Sequence, residues 1–585
     1  MATETATPRT RPGADWPAEG RRRSSPHPRS PRPRSLPGRA KPQRYDASRS
    51  LAWVRAHAPS LVIVLGLLAF LGAVLGTGAA RFPQFADDEG TYVAQAWSTL
   101  TQGSLAHYTY WYDHPPLGWV QLALASAVFQ PIGGGSGAVA DARPLMLLPA
   151  LASAALLYVL ARRLDVSRAF AAVAVLLFGL SPLAVSWLRS VYLDNWATPW
   201  VLAAFVLAAS PEKRLWAYAG SGACFAVAVL TKETSVLVLP GLLLLLRQGL
   251  DPRTRSFCTA AFVCVLALLA AGYPLFSLLK GELLPGPGHV SLFEAVRWQL
   301  FDRASTGSAL SSGTLSNHLV KGWLDEDAWL VGLGALAVLP ALAIRRLRAI
   351  AVTLLVLIVS VLRPGYLPQP FVIVMLPFCA LLAAAVLDAA VRAVAERLPR
   401  PRVAGVAAQA AVAAVLALVL WPSWHSASSF ATSADQNSNH LAVVRWIDGN
   451  IDDRARVLVD DTYYVDLMNA GFRPRFGAVW FYKLDYATNL DPSVQRALPT
   501  GWRSFDFVIS SPVMRSALAQ NPGSMRQVRE ALAHSRAVRA FGSGAERVEV
   551  RRLVGGRSGF LPAPKPEPRK QARPEAPKHK RARHR

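Results

Sequence analysis

Long uncharged apolar runs recur along this chain, and every second one ends in arginine or lysine. A membrane span takes about 20 predominantly apolar residues, so these runs predict a multi-pass α-helical membrane protein. The first run, Leu61–Ala80, follows an arginine-rich leader, which sets its start in the cytoplasm by the positive-inside rule. The next, Pro115–Ile132, is opened by two prolines and closed by Pro131 and glycines. If it crossed, most later basic clusters would lie outside. A juxtamembrane or re-entrant helix puts every cluster inside, and that is the reading adopted here.

The remaining runs then alternate. Pro144–Ala161 goes in to Arg162 and Arg163, and Ala169–Leu188 returns. Trp196–Ala209 goes in to Lys213 and Arg214, and Leu215–Leu230 returns. Ser235–Leu246 goes in to Arg247, and Phe257–Leu279 returns. Ala328–Ile344 goes in to Arg345 and Arg346, and Ala349–Leu362 returns. Pro368–Leu387 goes in to Arg392, and Val403–Leu420 returns. This gives about 11 spans plus the juxtamembrane helix. After Trp424 the pattern becomes that of a soluble α/β domain on the outer side. Helices are predicted at Leu441–Ile447 and Met525–Ala533, and strands at Arg456–Val459, Phe505–Ile509 and Arg547–Leu553. The chain thus divides into a basic cytoplasmic tail (1–58), a transmembrane domain (59–425), an extracytoplasmic domain (426–555) and a second basic tail (556–585).

Composition agrees with the pattern. The chain is 52% hydrophobic, and its net charge of +26 gathers in the two tails. Their arginine, lysine and proline content predicts disorder, with anionic lipid or envelope polymer as partner in place of nucleic acid. All four cysteines fall inside apolar runs without metal-binding spacing, so they read as small packing residues.

The candidate chemistry lies at the outer ends of the spans. Asp87, Asp88 and Glu89 open a helical segment directly after the first span, with Tyr92 downstream and Asp113 and His114 before the double proline. Carboxylates this close repel, which raises a pKa unless a cation offsets them; the plain alternative is helix capping. Arg189 and Asp194 lie between the third and fourth spans, and Lys232 and Glu233 between the fifth and sixth. Singly, the cations read as snorkelling residues and Asp194 as a helix cap. Jointly, both signs on one face predict a shared site. In the soluble domain, Asp460, Asp461, Tyr463 and Tyr464 follow a strand, either as a cap or as functional loop residues.

These residues resemble a family. Asp88–Glu89 after the first span, followed by Tyr92, is similar to the opening motif of membrane glycosyltransferases with the C-type fold. The segment from His114 to Gly118, HPPLG, resembles their protein O-mannosyltransferase branch (glycosyltransferase family 39). The Arg189–Asp194–Asn195 stretch resembles the second acidic motif, and Thr231–Thr234 the lysine motif of bacterial members. The aminoarabinose transferase branch is also similar, with lysine where His114 stands. The resemblance implies transfer of a sugar from a polyprenyl-phosphate carrier to an acceptor hydroxyl on protein, lipid or envelope glycan, at the outer face of the cell membrane. It implies Asp88 as general base with Glu89 tuning it or holding the acceptor. Tyr92, His114, Arg189, Asp194 and Lys232 would bind the carrier phosphate and sugar. No cofactor is implied, apart from a divalent metal at Asp194 in oligosaccharide-transferring relatives. The alternative class is a transporter or flippase of lipid-linked sugars, which would require polar residues along a path or mirrored repeats.

Overall fold

The computed structural model describes residues 47–555, except 106–111, 136, 288, 474–475, 486–495, 521–522 and 524. The expected disorder of 1–46 and 556–585 lies outside the described residues. The first helix, α1 (Ala47–Gly76), begins inside the stretch read as the N-terminal tail. The chain divides into two compact units, Met1–Ala58 and Pro59–Arg585. In the first of these only the helical start from Ala47 is described; everything below concerns the second.

The protein is an α-helical membrane protein with a small C-terminal sheet domain. Among the described residues, six helical stretches are long and apolar enough to span: His57–Gly76, Ala138–Arg163, Arg255–Leu279, Leu315–Ala343, Gln369–Ala395 and Pro401–Asn450. Shorter apolar helices include Arg168–Leu180, Leu215–Thr231 and Arg348–Leu362. One of the expected spans is broken. The run Ala169–Leu188 splits at Ser181 into Arg168–Leu180 and Pro182–Trp187, where a proline opens the second piece. Asp327, just ahead of the expected span Ala328–Ile344, leaves helical geometry inside Leu315–Ala343 and accepts the N–H groups of Trp329 and Leu330, capping that span.

Two segments after the first apolar run are helices. One is α2 (Asp87–Gln102), which ends on Gly103 in the left-handed conformation. The other is α3 (Leu117–Phe129), the short element expected from the double proline. Gln369–Ala395 is the central helix of the bundle, 89% buried over its most apolar stretch, whereas Pro401–Asn450 lies at the periphery at 6%. Such apolar exposure suits a lipid-facing helix.

Several basic loops meet at one end of the bundle. Asp165 pairs with Arg346 and Arg392, and Arg392 also pairs with Asp388 at 2.9 Å. Three clusters distant in sequence thus share one end, as the alternating spans require.

In the C-terminal domain the strands are β1 (Val457–Val459), β2 (Ala478–Trp480), β3 (Phe507–Ser510), β4 (Ser535–Phe541) and β5 (Val548–Leu553). They form one sheet in the order β2-β1-β3-β5-β4. β1 runs parallel to β2 and β3, while β5 is antiparallel to β3 and β4. β2 and β4 were not expected from the sequence. Each is an edge strand, and β4 carries Arg536 and Arg539 on exposed positions, which hides its apolar alternation. The sheet domain is bound to the start of α2 by polar contacts. Asn437 accepts the Phe85 N–H at 3.0 Å and donates to the Ala80 and Pro83 carbonyls. Gln436 accepts the Gln84 N–H at 2.8 Å, and Asp466 accepts the Ala138 N–H at 2.7 Å.

Candidate active site

The first turn of α2 holds Asp87, Asp88 and Glu89, where the helix dipole favours negative charge. The three point to different surroundings. Glu89 turns inward and is 0% exposed. Its Oε2 accepts from Arg143 Nε at 2.9 Å and Val191 N–H at 2.8 Å; Oε1 accepts from Arg143 Nη2 at 2.7 Å and Ala86 N–H at 3.1 Å. Arg143 donates onward to the carbonyls of Ala79, Pro83 and Gln84. Its guanidinium also lies 4.6 Å from the Phe85 ring centroid. Both oxygens of Glu89 are thus committed to donors.

Asp88 opens instead onto a cavity of about 320 Å³ that it shares with Tyr92, Asp113, His114, Lys232 and Glu233. His114 is the hub. Its Nε2 lies 3.1 Å from Lys232 Nζ and 3.3 Å from the Tyr92 hydroxyl, and its Nδ1 lies 3.0 Å from Glu233 Oε2. An ammonium only donates, so Nε2 accepts from Lys232 and Nδ1–H donates to Glu233. Burial works against the Glu233 anion, yet His114 and Lys232 outweigh it and bring its pKa down to about 2. Asp113 is shifted the other way, raised by burial, and one of its buried oxygens has no hydrogen-bond partner.

Three further cations that the sequence reading did not select line the cavity, Arg303, Arg363 and Lys483. Arg303 stacks 3.4 Å over the Tyr366 ring and donates to Gln299 Oε1 at 2.6 Å. Apolar walls come from Leu237, Leu300, Leu367 and Phe371, and the C-terminal domain supplies Trp480, Tyr482 and Lys483. No periodic signal marks the two arginines in the sequence; they sit in loops between apolar runs.

The structure therefore brings Asp88, Tyr92, His114 and Lys232 together around one cavity, and leaves Glu89 and Arg189 out of it. Arg189 is 1% exposed and donates to the carbonyls of Ala431 at 2.9 Å and Val74 at 2.5 Å, closing the C-terminal ends of two helices. Asp194, also buried, is within electrostatic reach of Lys232, Glu233 and His114 but is not on the cavity wall. Its Oδ2 has no hydrogen-bond partner. Among the described residues no trio of His, Cys, Asp or Glu is grouped to hold a metal ion. Arg143 was missed, although a lone arginine inside the apolar stretch that follows Ala138 was a usable signal.

The family model for dolichyl-phosphate-mannose-protein mannosyltransferases matches residues 113–275, a segment containing His114, Arg189, Asp194 and Lys232 but beginning after Asp88. In structure the chain is similar to ArnT from Cupriavidus metallidurans bound to undecaprenyl phosphate. The TM-score is 0.51 at 17% identity, covering 85% of this chain and 98% of that one. It is similar to the apo state of the same protein at TM-score 0.50 and 15% identity, with the same coverage. It is also similar to the oligosaccharyltransferase of Archaeoglobus fulgidus in its apo form, at TM-score 0.51 and 10% identity, covering 85% and 74%. At these identities the likeness is one of fold. No curated protein matches the chain in sequence.

Proposed function

We propose that this chain, a membrane glycosyltransferase of the C-type fold, moves one sugar from a polyprenyl-phosphate carrier to an acceptor hydroxyl at the outer face of the cell membrane. The observation that carries the reading is one cavity with a carboxylate, Asp88, on its wall and Lys232, His114, Arg303 and Arg363 around the remainder. A transfer of this kind requires a base for the acceptor and cations for the departing phosphate, and the cavity offers both.

The acceptor oxygen attacks C1 of the sugar while its proton passes to Asp88. The C1–O bond to phosphate breaks, and its electron pair leaves with the polyprenyl phosphate. One displacement inverts the anomeric centre. A phosphate needs no proton to depart; Lys232, Arg303 and Arg363 stabilise the growing charge. Glu233 fixes His114, which in turn fixes Lys232. Leu300, Leu367 and Phe371 receive the first isoprene units. Arg189, left outside the cavity, has no part in phosphate binding, and Glu89 acts by holding the first turn of α2. Support for the carrier comes from the ArnT structure, which is bound to undecaprenyl phosphate. The basic loops gathered around Asp165 support a cytoplasmic opposite end.

Replacing Arg303 or Lys232 by methionine is expected to raise the KM for radiolabelled polyprenyl-phosphate mannose about tenfold or more in native membranes. Loss of a charge-assisted hydrogen bond to phosphate is worth roughly 1.5–3 kcal/mol. Unchanged KM and kcat in both variants would remove the phosphate site from this cavity. For orientation, a cysteine placed in the 162–168 loop should react with an impermeant maleimide only after the membrane is opened. Labelling in intact cells would turn the protein over.

A further inference from the structure

The C-terminal domain touches α2 at the turn that holds Asp88. Gly90 is buried there, and a Cβ on it would lie 2.2 Å from the Asp461 carbonyl carbon and 2.3 Å from the Thr462 nitrogen. The two backbones are packed directly against each other, which only glycine permits. One residue further on, the Thr91 hydroxyl donates to Asp461 Oδ2 at 2.6 Å. Asp88 and Thr91 both line the cavity, so Asp461 sits directly behind its wall. Asp461 is 1% exposed, and its Oδ1 is buried with no hydrogen-bond partner.

We infer that Asp461 is a positioning residue for Asp88, and that the contact between α2 and the C-terminal domain is held shut by protons on the acids that flank the base. This rests on the assignment of Asp88 as base. The groups facing Asp461 are Asp87 and Asp88 from α2, Asp460 from its own turn, and Lys483 from the helix Tyr482–Asp485. One ammonium cannot balance four carboxylates packed together out of water. Asp460 accepts the Thr462 N–H at 3.1 Å. Burial chiefly, with Asp88 and Asp460, pushes Asp87 up to about 8. Burial likewise takes Asp461 to about 7, against the lowering effect of the Thr91 hydroxyl. Below about pH 7, protons therefore rest on the flanking acids Asp461 and Asp87. As pH rises through about 7 and then 8, Asp461 and Asp87 ionise in turn, repel across the Gly90 contact, and move the cavity wall that carries Asp88.

The sign follows from linkage. A carboxyl raised above its unfolded value of about 3.9 favours the folded state below that pH, and this stability is lost as pH rises through the folded value. For the pair Asp87 and Asp461 the loss extends from about pH 4 to pH 8. The test uses the full chain in nanodiscs, with thermal midpoints at pH 6 and pH 9, and transfer from radiolabelled polyprenyl-phosphate mannose in native membranes at the same two values. The wild-type midpoint should fall between pH 6 and pH 9, and that of Asp461→Asn, which keeps an acceptor for Thr91, should fall by less. The ratio of transfer at pH 9 to transfer at pH 6 should rise about tenfold in Asp461→Asn, as the alkaline limb moves from near 7 toward 8. Asp87→Asn should likewise lessen the fall in the midpoint, while the transfer limb near 7, which belongs to Asp461, stays in place. An Asp461→Asn midpoint that falls as far as wild type, or an unchanged ratio, overturns the inference, as does loss of transfer at both pH values. If Asp88→Asn is inactive while Asp461→Asn leaves the ratio unchanged, only this inference fails. If Asp88→Asn is active, the base assignment falls first and takes this inference with it.

Discussion

Asp88→Asn is expected to abolish sugar transfer while leaving the protein folded and abundant. General-base catalysis by a positioned side chain contributes typically about 10²–10⁴-fold, and an amide cannot take the acceptor's proton. Asp88 is suited to this test because its structural obligations are light. The neighbour that fixes the helix start is Glu89, which is fully engaged with Arg143, Val191 and Ala86. Asp87 accepts the Asp88 N–H at 3.0 Å, a contact that the asparagine variant keeps. Removal of the carboxylate therefore subtracts the base with little change to packing. The measurement is the initial rate of transfer from radiolabelled polyprenyl-phosphate mannose in native membranes, normalised to protein by immunoblot. Transfer within tenfold of wild type would exclude Asp88 as the base and turn attention to Asp113, the other carboxylate with a free oxygen at this cavity.

The residues of this site that could be read from the sequence are those whose position follows from apolar periodicity alone. Asp88, His114 and Lys232 stand at the ends of apolar runs, and alternation of the spans sends those ends to one side of the bundle. Four runs distant along the chain then meet at one cavity. Asp460 and Asp461 illustrate how far this reasoning reaches. Both a cap and a functional loop were consistent with two aspartates after a strand. The structure divides the roles, with Asp460 capping Thr462 and Asp461 turned to Thr91.

What could not be read depends on partners without sequence signatures. Arg189, a snorkelling residue when read singly, became a candidate phosphate ligand through the family resemblance. Here its partners are backbone carbonyls at Val74 and Ala431, and any residue type supplies a carbonyl. Arg303 and Arg363 lie in loops where nothing periodic fixes direction. The same limit applies to Glu89. Adjacent to Asp88, it seemed to share the chemistry, but a helix turns by about 100° per residue. The next carboxylate along α2 therefore faces the protein interior and needs a counter-ion there.

That counter-ion gives the second large effect. Glu89→Gln should reduce folded protein sharply instead of reducing turnover per folded molecule. Four donors converge on the two Glu89 oxygens: Arg143 Nε and Val191 N–H on one, Arg143 Nη2 and Ala86 N–H on the other. A glutamine amide turns its NH₂ toward one of these donor pairs whichever way it is placed, so two hydrogen bonds become donor–donor contacts. The Arg143 charge, 0% exposed, also loses its partner. Breaking a buried pair by removing one member costs roughly 3–5 kcal/mol, against a typical total stability of about 5–15 kcal/mol. Arg143→Met leaves the Glu89 carboxylate buried with two backbone donors and should destabilise comparably, since it also frees the carbonyls of Ala79, Pro83 and Gln84. Fluorescence-detected size exclusion and the thermal midpoint in detergent measure the loss, and transfer per folded molecule measures the chemistry. A Glu89→Gln protein with the wild-type midpoint and no transfer would place Glu89 in the reaction itself, beside Asp88.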